Sequence, residues 1–141
     1  MILWGPSILK REKNAIQIQQ NKAIRAILLL DYRSSVSKSY NDLKILKLQS
    51  LNELEVAKFM YCVDNKTAPT PLLNIFDHLS HDHDTRNKDD PQYSERRNFQ
   101  DMRNSFICKG PELWSHLPLD TRNSKNLISF SSKMKKKLST A

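Results

Sequence analysis

Glycine, cysteine and long apolar runs are all scarce in this chain. Two of its 141 residues are glycine and two are cysteine. A text so poor in glycine and rich in lysine has few places for tight turns and reads as helical. Cys62 and Cys108 lie far apart in an otherwise intracellular-looking composition. They read as free thiols in a reducing compartment, which excludes a disulfide framework. The longest apolar run, Ala26 to Leu30, is far short of the roughly 20 residues that a membrane span needs. The opening "MILWGPS" is interrupted too soon to read as a signal peptide. Hydrophobic residues make up 38%, below the usual share of about 45–50%, so a modest core with long solvated segments is expected.

Basic charge is what the chain has in surplus, +8 in all. It is unevenly spread. In residues 1–30, Lys10, Arg11, Lys13, Lys22 and Arg25 stand against Glu12, a balance of +4. Residues 125–141 hold Lys125, Lys133, Lys135, Lys136 and Lys137 with no acid, a balance of +5. The long middle sums to −1. Clustered cations are the footprint of a polyanion binder, because each phosphate contact releases condensed counterions. The competing reading is a solvated helix face and a frayed tail.

Residues 12–30 have helical periodicity. Ile16, Ala23, Ile24 and Ile27 fall on one side, with Arg11, Lys22 and Arg25 roughly opposite and Gln17, Gln19, Gln20 and Asn21 between. "RSSVSKS" breaks the pattern, and "YNDLKILKL" reads as a short helix or turn. Ser50 and Glu53 have the spacing of a capping box, predicting a helix from there through "LNELEVAKFMYCVDNK". Leu51, Leu54, Ala57 and Tyr61, widened by Val56, Phe59, Met60 and Val63, give it the broad apolar face of a central helix. Thr70-Pro71 starts another helix through "LLNIFDHL". Residues 80–104 lose all periodicity and read as a long polar loop.

Beyond that loop, "SFIC" (105–108) reads as extended, Gly110 as a turn and Pro111 as the start of a short helix. Leu113, Trp114 and Leu117 form its buried side, and Pro118 ends it. A buried tryptophan hides about 150–250 Å², worth about 4–6 kcal/mol gross. A last helix, capped near Ser124, carries the stripe Leu127, Phe130, Met134 and Leu138, with lysines fanned over the remaining surface. The expected fold is mostly α: short helices in two lobes, 8–79 and 105–141, joined by the polar segment 80–104, with little or no β.

Six stretches in order resemble the C-terminal end of one family. They are "QNKAIR" (20–25), "LKILKL" (43–48), "ELEVAKFMY" (53–61), "DTRN" (84–87), "KGPELWSHLP" (109–118) and "SFSSKMKKKL" (129–138). The family is the reverse transcriptases of jockey-like non-LTR retrotransposons, and the resemblance spans about 12–138. "ILWGPS" is similar to the Trp-Gly junction that follows the polymerase palm in that family. Cys108 stands where an aromatic is usual and Ser115 where an Asn is common, which marks divergence.

The resemblance implies a post-palm, thumb-like region of an RNA-directed DNA polymerase. The catalytic palm, with its paired carboxylates and Mg, would lie upstream of Met1. The chain's one Asp-Asp pair, Asp89-Asp90, sits in the polar loop without the aromatic partner that the family's catalytic hairpin has. No catalytic residue, metal or cofactor is therefore expected in this chain. By the same resemblance, Arg11, Lys13, Lys22 and Arg25 would contact RNA or DNA phosphates, with Gln17, Gln20 and Asn21 reaching sugars. Lys133, Lys135, Lys136 and Lys137 would add a second anchor. Expected partners are nucleic acid and the rest of the parent polymerase, with no membrane, in an intracellular setting that includes the nucleus.

Two other constellations carry less weight. His78, His81 and His83 among Asp77, Asp82 and Asp84 have a ligand-like composition but lack the paired spacing of a structural zinc site. Neither cysteine has a local base that would make it a nucleophile. The contrasting functional class is a helical protein-interaction module that docks through Trp114 and the 51–63 helix.

Overall fold

The computed structural model describes residues 9–76, 78–79, 92–93 and 106–140. The chain is mostly helical, as its composition predicts. Among the described residues the order is α1 (Lys10–Ile27), α2 (Ser37–Asp42), α3 (Leu48–Asp64), α4 (Thr70–Leu73), α5 (Phe106–Ser115), α6 (Leu119–Arg122) and α7 (Leu127–Thr140). A minimal antiparallel pairing joins β1 (His78–Leu79) to β2 (Gln92–Tyr93), with His78 opposite Tyr93. No described helix is long and apolar enough to cross a membrane.

α3 is the central element. Leu54, Val56, Ala57, Met60, Tyr61 and Val63 are all buried along it, the broad face read from the sequence. Around it close Phe76, then Phe106 and Trp114 of α5, Leu117, and Phe130 and Met134 of α7. Phe59, Phe76 and Phe106 meet at ring separations of 5.6–6.1 Å, and Phe130 sits 4.8 Å from Tyr61 and 5.9 Å from Trp114. The Tyr61 hydroxyl donates to the carbonyl of Ser124 at 2.7 Å, tying α3 to the segment before α7. The core therefore does not divide where the composition does. α5, Leu117 and α7 share a core with α3, which belongs to the expected 8–79 lobe. A smaller cluster of Ile24, Val36 and Tyr40 joins α1 to α2.

The Gly-Pro pair does not do what its sequence suggests. α5 begins at Phe106 and runs straight through Gly110 and Pro111, so Phe106–Cys108 is helical and not extended, and Pro111 lies inside the helix. Gly110 has no positive φ. Its role is close approach: a Cβ there would lie 2.7 Å from Met60 Sδ, so α5 meets α3 at this point. Trp114, 1% exposed, is the apolar anchor that was expected, and Leu113 is half-buried beside it.

Scarcity of glycine shows at the helix ends. α1, α2 and α3 each close with a residue of positive φ, namely Leu29 (51°), Lys44 (53°) and Lys66 (55°). In each case the next amide reaches back to the helix: Leu30 to Arg25, Ile45 to Tyr40 and Thr67 to Cys62. These are the paired bonds of a Schellman motif, built here without the glycine that usually relieves it.

Two predicted caps move. α3 starts at Leu48, so Ser50 lies within the helix and caps nothing. α7 is capped by Asn126, whose side chain accepts from the amide of Ser129 at 2.8 Å. Ser124 is buried instead, its hydroxyl donating to the carbonyl of Thr121.

Candidate nucleic-acid interface

α1 is seated through amides. Gln17 Oε1 accepts from the backbone N–H of Leu48 at 3.0 Å, capping the start of α3 from another helix. Gln17 Nε2 donates to Tyr40 Oη at 2.6 Å, and that hydroxyl donates onward to Asn21 Oδ1 at 2.6 Å. Gln20 Nε2 donates to the carbonyl of Leu46 at 2.9 Å. These three amides are thus committed inside the fold, and the expectation that they reach sugars is corrected. Burial pushes the Tyr40 hydroxyl above its ordinary value of 10.0, while the Gln17 bond and the charge of Arg25 pull against it.

With the amides facing inward, most of the apolar side read from the sequence is left outside. Ile24 is the one buried residue of α1, whereas Ile16 is 44% and Ile27 68% exposed. Leu28, Leu29 and Leu30 continue this exposed surface past the helix end.

Arg11, Lys22 and Arg25 occupy the flank of α1 opposite the Ile16–Ile27 stripe. Their spacing of eleven and then three residues keeps them within about 60° of one another, over about 21 Å of helix. Arg11 and Lys22 are exposed and Arg25 is half-buried. Among the described residues none of the three has a carboxylate at ion-pair distance. The Nε of Arg25 donates to the carbonyl of Ser34 at 3.0 Å, which fixes the plane of the guanidinium and leaves its terminal nitrogens as donors. That bond ties the 28–36 turn to Arg25, and Tyr32 and Arg33 are exposed in this turn. Sequence reasoning missed Arg33, because nothing local ties the turn to Arg25.

Lys13 does not join this face. It is half-buried on the flank that carries Gln17 and Gln20. On α7, Lys133, Lys135, Lys136 and Lys137 are all exposed. Lys133, Lys136 and Lys137 share one side at i, i+3, i+4, and Lys135 lies on another. Lys133 Nζ donates to the carbonyl of Asp120. Phe130, the predicted structural residue of this helix, is fully buried beneath them.

Arg122 is a cation of another kind. It is 6% exposed, donates to the carbonyls of Leu117 and Ser115 at 2.8 and 2.9 Å, and lies 6.0 Å from the Trp114 ring centroid. It closes the C-terminal end of α5, where positive charge is favoured. Its sequence context, an ordinary Thr-Arg-Asn, gives no sign of this.

Cys62 and Cys108 are free and half-buried. Among the described residues no three His, Cys, Asp or Glu side chains gather as metal ligands would. The side chains of His78, His81 and His83, and the pair Asp89-Asp90, lie outside the described residues. No protein-family model, curated protein or solved structure matches the chain.

Proposed function

We propose that this chain is a helical, nucleic-acid-backbone-binding region of the type that follows the palm in non-LTR retrotransposon reverse transcriptases. On this reading it has no catalytic residue of its own, and Mg and the paired carboxylates belong to the palm. It grips RNA or DNA by phosphate contacts without reading sequence. One observation carries the proposal: Arg11, Lys22 and Arg25 share a flank of α1 with no acid among the described residues paired to them, and Arg25 is already held in place by Ser34. The α7 lysines would supply a second, less fixed contact.

Salt titration of RNA binding tests it. For a single strand the logarithmic slope changes by about 0.7 per phosphate contact, so Arg11→Gln with Lys22→Gln should flatten it by about 1.4. Both side chains are exposed, so the fold should be unaffected. Absence of binding at low salt, or an unchanged slope in the double variant, would overturn the proposal. So would nucleotide incorporation by the chain alone.

A second reading is favoured by the exposed apolar stripe of α1. Trp114 is 1% exposed and Leu54, Ala57 and Met60 at most 2%, so these side chains are already engaged in the protein's own core. On this reading an interaction module would use the exposed Ile16, Ile27 and Leu28–Leu30, and binding to a protein partner would survive high salt.

A further inference from the structure

Resting on the backbone-binding reading, we infer that the strand held on α1 is single, and that Tyr32 stacks on one of its bases. Tyr32 is 75% exposed, while every other described aromatic side chain is buried or half-buried. An aromatic ring left in water forgoes a large burial term unless something else covers it.

Its surroundings suit a base. Tyr32 stands two residues before the Ser34 carbonyl that the Arg25 guanidinium holds. The turn bearing it is fixed at several points. The amide of Leu30 reaches the Arg25 carbonyl at 2.9 Å, that of Ser34 reaches Asp31 at 3.0 Å, and Val36 is buried beneath. The exposed ring thus sits on a fixed turn bound to Arg25, at the C-terminal end of the flank that also carries Lys22 and Arg11, with Arg33 next in sequence. Asp31, also exposed in this turn, is the one acid in the stretch from Leu28 to Val36.

A charged groove combined with an aromatic platform is how unpaired strands are held, because every base offers a face and stacking tolerates any sequence. A duplex keeps its base faces inside its own stack, beyond the reach of Tyr32. Electrostatics alone predicts the opposite preference, since duplex DNA has the higher charge density and the steeper salt slope. A preference for single strands would therefore come from the ring and not from the cations.

The test compares fluorescently labelled oligo(U) and oligo(dT) 20-mers with their duplexes at low salt, using the full chain and Tyr32→Phe, Tyr32→Leu and Tyr32→Ala variants. The native chain and Tyr32→Phe should prefer either single strand over its duplex. Tyr32→Leu and Tyr32→Ala should bind single strands roughly 5- to 100-fold more weakly, with duplex affinity unchanged. Circular dichroism should be the same for all four proteins, because Tyr32 is exposed and no hydrogen bond among the described residues uses its hydroxyl. Equal affinity for single strands and duplexes, or no loss in Tyr32→Ala, would overturn this inference and leave backbone binding standing. No binding to any probe would instead remove the backbone-binding reading itself.

Discussion

At position 110 a hydrogen occupies the place where any other residue has a carbon. Met60, fully buried, lies against it, with Sδ 2.7 Å and Cγ 3.3 Å from where that carbon would be. Gly110→Ala would gain about 1 kcal/mol of helix propensity. It would lose about 1–3 kcal/mol to overpacking. The expected outcome is a net loss of about 1 kcal/mol in urea unfolding, shrinking or reversing when Met60→Ala is present. A native-background gain would mean that the helices do not meet there. The sequence alone points to a turn because glycine has two uses, and only a methionine fifty positions away decides between them. Trp114 was legible from local text, since its size and its spacing to Leu117 demand burial. Arg122 was not, because its acceptors are carbonyls, and carbonyls belong to every residue.

Among the elements, helix ends and helix faces were read unequally well. The broad face of α3 was evident because apolar residues have nowhere else to go. The buried face of α1 is rotated from the one its apolar residues suggest, keeping Ile24 but not Ile16 and Ile27. Its isoleucines suggested a buried side, yet Gln17, Gln20 and Asn21 face inward because they satisfy the Leu48 amide, the Leu46 carbonyl and the Tyr40 hydroxyl. The same Gln17 explains why the Ser50–Glu53 box is unused: an acceptor from α1 lets α3 begin upstream of it. The glycine-free ends of α1–α3 yield a prediction. Lys66 is exposed at φ 55°, a conformation that costs a non-glycine residue about 1–2 kcal/mol. Lys66→Gly should remove that cost, less about 0.5–1 kcal/mol of extra chain entropy. A net stabilisation of about 0.5–1 kcal/mol by urea denaturation is expected, and destabilisation would contradict the Schellman geometry.

For the whole molecule, the two clusters differ greatly in size. Eleven buried residues make up the cluster built on α3, against the three that join α1 to α2. Opening of α1 and α2 before the core follows from that inequality. Tyr40 supplies the means to see it. Its hydroxyl has a raised pKa in the fold, so the stability it contributes is complete below pH 10 and is lost as pH rises through the folded value. Ionisation also removes the proton it donates to Asn21. Amide exchange corrected for its intrinsic pH dependence should show α1 and α2 loosening above pH 10 ahead of α3, and Tyr40→Phe should abolish that pH step. Simultaneous loosening of all helices would refute it. The mostly helical character was readable from composition; the shared core was not, because no local signal tells α5 and α7 that their partner lies across a long polar segment.

The close seat of Met60 against Gly110 also bears on oxidation. A sulfoxide adds an oxygen to a sulfur that is fully buried and packed against Gly110. Peroxide therefore cannot modify this methionine while α5 rests on α3, and an oxidised Met60 would hold the two helices apart once they had separated. Sulfoxide at this position is a chemical record of the core having opened.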